Sequence, residues 1–171
     1  MLSQLGVREI SGKNDGKQIN DYRASVAIWL NHIKPLPPWC ASFVFWIFHK
    51  SNLKTKVKSA RAREYFSKQL GSYNPNIRTD KPPQFMDAVG YYFGNKQIRH
   101  IGLVYEWNPD PRVKMCRILE GNTSSKSVTG VVVREGDGVY LKWRPKSLIA
   151  KCTPIQNLLK SWKRNSNTIS H

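Results

Sequence analysis

Four side chains in this sequence have the types and order needed for nucleophilic chemistry: Cys40, His100, Glu120 and Asn122. A thiolate can attack a carbonyl carbon, and an imidazole can take up and return the proton. A carboxylate or amide can hold that imidazole in the useful tautomer and stabilise its protonated form. Brought together, these side chains would form a cysteine–histidine catalytic site.

Cys40 is predicted at the start of a buried helix. Pro37 and Pro38 end the preceding segment, and the apolar residues of 43–48 follow with helical spacing. Proline fits the first turn of a helix rather than its interior, so Cys40 belongs at or just inside the N-terminus. The helix dipole there favours the thiolate, which makes Cys40 a candidate nucleophile. The alternative is a small buried core residue, a common role of free cysteine.

His100 is the histidine best placed to act as a base. It begins a predicted central strand, where rigid backbone would hold the ring close to the surface, and Gly102 would permit close approach of another element. His32 and His49 are predicted near helix ends, in surface or capping positions. His171 is the terminal residue and is not a candidate.

Glu120 and Asn122 end the next predicted strand. They are two residues apart, so on an extended segment they point to the same side. If this strand pairs antiparallel with the His100 strand around a turn centred near Asp110, residue 120 faces residue 100. That register predicts a carboxylate opposite the imidazole. The alternatives are a solvated acid at a strand end for Glu120 and a turn residue for Asn122.

The elements that must position these residues run from helices to strands. Apolar spacing predicts helices over 17–33, 39–51 and 57–70, followed by a loop over 71–83. Helices followed by strands argue for an α+β domain, with the N-terminal helices packed on an antiparallel sheet. Segments rich in β-branched and aromatic residues predict the strands at 87–93, 98–107, 113–119, 128–134 and 138–143.

The length and composition indicate one globular domain. The chain has 171 residues, with no internal repeat and no low-complexity linker. We place the domain at 1–150 and a basic polar tail at 151–171, with a short helix around 155–162. Three cysteines cannot all pair and fit no zinc motif, which favours synthesis in a reduced compartment. No apolar run approaches the length of a membrane span, and no secretory signal is visible.

The net charge is strongly positive. It is +17, from 28 lysines and arginines against 11 acids. This balance predicts attraction to a polyanion: nucleic acid, acidic lipid or an anionic cell-envelope polymer. The basic residues are scattered rather than arranged with interleaved aromatics, and no nucleic-acid motif appears, so no specific nucleic-acid partner is expected.

Seven short segments follow one another in a characteristic order and spacing: 6–9, 14–16, 38–44, 100–104, 120–124, 136–140 and 144–145. Together they resemble the CHAP domain, the cysteine, histidine-dependent amidohydrolase/peptidase family of cell-wall hydrolases. The resemblance covers roughly residues 5–150. Many relatives carry a Gly-Asp pair before the histidine, whereas Asp87 here keeps the acid without the glycine.

The resemblance implies a papain-like α+β fold and hydrolysis of an amide bond in peptidoglycan. The bond would be the N-acetylmuramoyl-L-alanine amide or a peptide bond, cleaved through a thioester. Cys40 would be the nucleophile, His100 the general base and then acid, and Glu120 the group that orients His100. Asn122 matches a further polar site residue, which would orient the histidine or polarise the substrate.

Two neighbours of these residues are candidates for substrate binding. Trp39 precedes Cys40, which would place its ring at the edge of a cleft, and Arg99 precedes His100, where it could meet substrate carboxylates. No metal or other cofactor is expected. Relatives that bind calcium use an acid-rich loop before the cysteine, and residues 36–39 contain no acid.

A monomer is expected, made in the cytoplasm and acting on the cell wall or periplasm after release or delivery. Synthesis in the cytoplasm followed by action on the cell wall fits a phage endolysin or an antibacterial effector. An effector would have an immunity protein as a partner. The alternative function is a basic, non-catalytic binding module for cell wall or nucleic acid. The charge supports that alternative, whereas the complete set of Cys40, His100 and Glu120 favours an enzyme.

Overall fold

Helices come first along the chain and strands follow, as the sequence predicted. The structure, a computed structural model, describes residues 1–93, 95–124 and 136–160. The helices in these residues are α1 (Lys17–Val26), α2 (Cys40–Lys50) and the short α3 (Ile155–Leu158). None of the described helices is both long enough and apolar enough to cross a membrane.

The strands of the described residues form a single antiparallel sheet with the order β4-β3-β2-β1-β5. The architecture is therefore α+β, as predicted. The further strand predicted at 128–134 lies outside the described residues. The strands are β1 (Ala88–Phe93), β2 (Gln97–Glu106), β3 (Met115–Thr123), β4 (Gly138–Pro145) and β5 (Lys151–Thr153).

Each face of the sheet has its own apolar layer. On one face α2 packs against β2 and β3, with Phe43 and Ile47 of the helix in one cluster with Ile101 and Leu119 of the strands. On the other face, loop residues such as Tyr73 cover a second cluster. Because α2 is apolar on most of its sides, it lies buried, and its first residue is held at a fixed place against the sheet.

The first helix is shorter than predicted. It ends at Val26, Ala27 is extended, and a 3-10 turn follows at Ile28–Asn31. The buried guanidinium of Arg23 explains the break, since its Nε donates to Asn31 Oδ1 at 2.8 Å. A continuous helix would place residues 23 and 31 about 12 Å apart along its axis. The chain must therefore fold back to satisfy Arg23.

The helix predicted at 57–70 is wrong. The structure has only a 3-10 turn there, at Ala62–Tyr65. Serine hydroxyls bind the backbone on both sides of it: Ser59 accepts from the Arg61 amide at 3.0 Å, and Ser72 accepts from the Ser67 amide at 2.9 Å. Such side-chain bonds compete with helical backbone bonds, which is why periodicity alone misled.

The sheet extends beyond residue 150, where we expected the domain to end. Strand β5 pairs with β1, and Leu158 of α3 is fully buried in the main core. The short helix predicted around 155–162 is present at Ile155–Leu158, and residues 161 and 162 lie outside the described residues. The segment 151–159 is therefore part of the fold rather than a tail.

Candidate active site

Cys40 is the first residue of α2, with Trp39 as its N-cap. The position agrees with the prediction, and the Cys40 amide belongs to the first turn, whose amides have no intrahelical partner. Gly121 of β3 allows the helix start to approach the sheet, because a Cβ there would lie 2.7 Å from Phe43 Cδ1 and 2.8 Å from Trp39 Cζ3. Close packing of α2 on β3 thus fixes the thiol.

His100 and Glu120 form a fully buried pair, with His100 Nε2 3.2 Å from Glu120 Oε2. The predicted register is wrong, since Glu120 lies opposite Gly102 rather than opposite residue 100. The two side chains still meet because Gly102 has no side chain. A Cβ there would lie 2.9 Å from Glu120 Cγ. Glu120 therefore leans across Gly102 to the imidazole two residues earlier on the same side of β2.

Arg144 and Tyr91 complete the surroundings of the Glu120 carboxylate. Arg144 donates from Nε to Oε1 at 2.8 Å and from Nη2 to Oε2 at 2.6 Å, and the Tyr91 hydroxyl donates to Oε1 at 2.8 Å. Sequence reasoning did not single out either residue for this role. The available signal was Glu120 itself, since an acid predicted inside a sheet requires a buried cation.

The pKa values of this cluster follow from its hydrogen bonds. Burial favours the neutral form of Glu120, but bonds from Arg144 and His100 outweigh it and hold its pKa well below the usual range. Burial would lower the pKa of His100, but hydrogen bonds with Cys40 and Glu120 outweigh it and raise that pKa to about 9. Both shifts favour the charged forms of the pair, imidazolium and carboxylate.

The second ring nitrogen of His100, Nδ1, does not face Glu120. Nδ1 is buried and has no hydrogen-bond partner that meets geometric criteria among the described residues. The interaction between Cys40 and His100 raises the pKa of the imidazole, and the Cys40 sulfur lies 4.0 Å from the Arg99 carbonyl oxygen. With Nε2 engaged by Glu120, Nδ1 is the ring nitrogen left for Cys40. Catalytic hydrogen bonds are often long before a substrate binds. The order is thus thiol, imidazole and carboxylate, which is the order that nucleophilic catalysis requires.

Asn122 binds the backbone rather than the imidazole of His100. With its amide oriented so that both ends are satisfied, Oδ1 accepts from the Trp39 amide at 3.1 Å and Nδ2 donates to the Gly136 carbonyl at 2.9 Å. The side chain is fully buried, and its φ of 57° is one that asparagine tolerates. Asn122 therefore does not orient His100. It fixes the backbone of the residue before Cys40, and both ends of its amide are engaged.

The two residues predicted to bind substrate lie in different environments, since Trp39 is buried and Arg99 is exposed. Trp39 is fully buried, and its Nε1 donates to Glu9 Oε1 at 2.8 Å, so its predicted place at a cleft edge is wrong. Its ring turns inward because Tyr22 and Phe43 offer aromatic packing partners. Arg99 is exposed and lines the same groove as Cys40.

A groove of about 510 Å³ gives access to Cys40. Its lining combines apolar residues, which include Trp29, Ile33 and Pro37, with arginines. A larger pocket of about 600 Å³ lies elsewhere, around Trp107, and contains none of the candidate catalytic residues. Position beside the thiol, rather than size, therefore identifies the groove as the candidate substrate site.

The other two thiols, those of Cys116 and Cys152, lie in surroundings that disfavour the thiolate. Cys116 and Cys152 are free and buried. Burial raises the pKa of Cys116 to about 12 and also raises the pKa of Cys152, which keeps both thiols protonated and unreactive. Among the described residues, no group of three or more histidine, cysteine or acidic side chains could hold a metal ion.

Comparison with protein-family models, with curated proteins and with solved structures finds no match for this chain.

Proposed function

We propose that this protein is a cysteine amide hydrolase with a CHAP-like, papain-like fold that cleaves an amide bond of peptidoglycan. The observation that carries the proposal is the arrangement of Cys40, His100 and Glu120. The thiol opens a buried helix beside a groove, and the neighbouring imidazole is held through Nε2 by a carboxylate 3.2 Å away. Nucleophile, base and orienting group thus stand in sequence.

The chemistry begins with a proton transfer. The Cys40 thiol gives its proton to His100 as its sulfur bonds to the amide carbon, and the carbonyl oxygen becomes an oxyanion. The Cys40 amide, in the first turn of α2, is a donor available to that oxyanion. Protonated His100 gives this proton to the leaving amine as the carbon–nitrogen bond breaks, and a thioester remains. His100 then takes a proton from water, whose oxygen attacks the thioester carbon. The carbon–sulfur bond breaks, the carboxylic acid leaves, and His100 returns the proton to the Cys40 sulfur.

Glu120 supports both steps without taking the proton. Its carboxylate is already bound by Arg144 and Tyr91, which keeps it ionised and in place. An ionised Glu120 stabilises the imidazolium and leaves Nδ1 for the thiol. Arg144 and Tyr91 are positioning residues in this scheme, because they act through Glu120.

The choice of peptidoglycan depends on the resemblance of the sequence motifs and on the net charge. Cell envelopes are anionic, so a protein of charge +17 gains local concentration there. The cleaved bond is the N-acetylmuramoyl-L-alanine amide or a peptide bond of the stem. An endolysin or a delivered antibacterial effector is the biological setting that this activity suits.

The test is digestion of purified peptidoglycan by the wild type, Cys40→Ala and the matched control Cys116→Ser. We expect new amino groups without new reducing ends, and a loss of about 10³-fold or more in Cys40→Ala. Cys116→Ser should retain activity, because its hydroxyl can donate to the Arg144 carbonyl as the thiol does. Equal release by the wild type and Cys40→Ala would contradict the proposal.

The net charge favours one other function, a basic module that binds cell wall or nucleic acid without cleaving it. This function predicts salt-sensitive binding to sacculi, or to duplex or single-stranded nucleic acid, that is the same in the wild type and Cys40→Ala. Binding together with no amine release by the wild type would favour it over the hydrolase.

A further inference from the structure

The groove beside Cys40 is lined by arginines from two separate parts of the chain. Arg61 and Arg63 come from the 3-10 turn region that replaces the predicted third helix, and Arg99 comes from the start of β2. Among the described residues that line the groove, none is acidic. The fold therefore brings positive charge from two separate segments to the groove that Cys40 lines.

The guanidinium groups differ in whether a nearby carboxylate already offsets their charge. Arg61 lies 3.8 Å from Glu64 Oε1, which partly offsets it. Arg99 donates to the neutral Gln97 Oε1 at 3.3 Å and so keeps its full charge. Arg63 and Arg99 are exposed. These two arginines are therefore the stronger candidates for binding an anion in the groove.

The groove lining also includes apolar side chains, some of them exposed. Trp29 is 60% exposed and Ile33 is 38% exposed, and Pro37 and Pro38 continue this surface towards Cys40. A ligand that fits such a groove has a negative group for the arginines and a less polar portion for the apolar side chains. Guanidinium groups bind both carboxylates and phosphates in paired hydrogen bonds, and the carboxylate is the one of the two that the stem peptides of the proposed peptidoglycan substrate carry.

We propose that the groove selects substrates that carry a free carboxylate close to the scissile amide, with Arg63 and Arg99 as its specificity-determining residues. This inference deepens the proposed hydrolase function and rests on it, because only a hydrolase would have a substrate in this groove. The recognition itself is a property of the groove. It can therefore be measured without any hydrolysis.

The first test compares two alkylating reagents that differ only in charge. Iodoacetate carries a carboxylate, and iodoacetamide is its neutral counterpart. Both react at the Cys40 sulfur, which forms a bond to carbon and displaces iodide while the thiol proton passes to a base. We expect a ratio of the iodoacetate rate to the iodoacetamide rate at Cys40 that exceeds the same ratio for free cysteine, and that falls as salt is added.

Substitution of the arginines tests whether they cause the raised ratio of the two alkylation rates. Arg63→Gln and Arg99→Gln should each lower it about threefold, and the double variant more, since each removes one partly exposed charge. Arg112→Gln is the matched control, because it removes the same charge from an exposed residue in the β2–β3 turn, at the far end of β2 from Arg99. Circular dichroism spectra establish that each variant is folded.

Three outcomes overturn the inference: a ratio equal to that of free cysteine, a ratio unchanged in the double variant, or no reaction of Cys40 with either reagent.

A second measurement uses peptidoglycan before and after its carboxylates are converted to amides with carbodiimide and ammonia. We expect amidation to slow release by the wild type about tenfold and to affect the double variant much less. If Cys40-dependent release by the wild type is equally fast before and after amidation, only the carboxylate inference is overturned. If the alkylation ratio exceeds that of free cysteine as expected but no amine is released from peptidoglycan, only the hydrolase proposal is contradicted.

Discussion

Two acids are buried among the residues that the structure describes, and their surroundings shift their pKa values in opposite directions. Glu120 of β3 has the cation Arg144 bonded to both oxygens, and its pKa is lowered. Asp87, just before β1, accepts the amides of Gln84 at 2.9 Å and Ile155 at 2.8 Å, and burial raises its pKa more than these bonds lower it. Burial is common to both, so the formal positive charge makes the difference.

The two sites therefore serve different purposes. The Glu120 cluster keeps a carboxylate ionised beside an imidazole, which is what the proposed catalysis needs. Asp87 joins the loop before β1 to the start of α3, with the thiol of Cys152 3.8 Å from Oδ2. Asp87 is thus a structural link between two segments of the fold.

The largest effect is expected from removing the cation. Arg144→Met leaves Glu120 as a buried charge with only His100 and Tyr91 as partners, which should reduce the free energy of unfolding by about 3–5 kcal/mol. Urea denaturation at pH 7 measures it. Arg144→Lys is the control, since it keeps the charge but loses the paired geometry and should fall between the two. A variant as stable as the wild type would remove the distinction between the two acids.

A smaller effect is expected at the other acid. Asp87→Asn keeps one acceptor oxygen but turns an NH₂ group towards one of the two amides that Asp87 now accepts. The unfolding free energy should fall by about 1–3 kcal/mol, the cost of an unsatisfied buried donor. The same urea experiment measures it at pH 7. A loss larger than that of Arg144→Met would reverse the comparison.

The third comparison concerns the pH dependence of stability, where the contributions of the two acids should have opposite signs. The pKa of Glu120 is lowered from 4.5, so its contribution is complete above pH 4.5 and is lost as pH falls towards the folded pKa. The pKa of Asp87 is raised from 3.8, so its contribution is complete below pH 3.8 and is lost as pH rises through the folded pKa.

Difference curves separate these contributions. The stability of the wild type minus that of Glu120→Gln should rise from acid to neutral pH. The stability of the wild type minus that of Asp87→Asn should decline over the same range. Each pKa unit of difference corresponds to about 1.4 kcal/mol. Parallel difference curves would show that the two carboxylates do not differ in the way described.

Local features of the sequence were predictable where local chemistry determines the structure. Two prolines followed by an apolar run place Cys40 at a helix start, because proline and helical spacing act within a few residues. The helix predicted at 57–70 failed because Ser59 and Ser72 bind the backbone from outside the apolar pattern. The β2–β3 register failed because a turn centre inferred from sequence cannot locate the irregularity between Val104 and Glu106.

The sequence by itself determined the α+β class, the helix start that carries Cys40 and the strands that carry His100 and Glu120. Only the tertiary structure decided that Arg144 and Tyr91 hold Glu120, that Asn122 binds the Trp39 amide and that Trp39 faces the core. The structure also brought Arg63 and Arg99 to the same groove, although they lie 36 positions apart in the sequence. Helical and strand periodicity is set by neighbouring residues, whereas partners across a sheet depend on register and packing that no single segment contains.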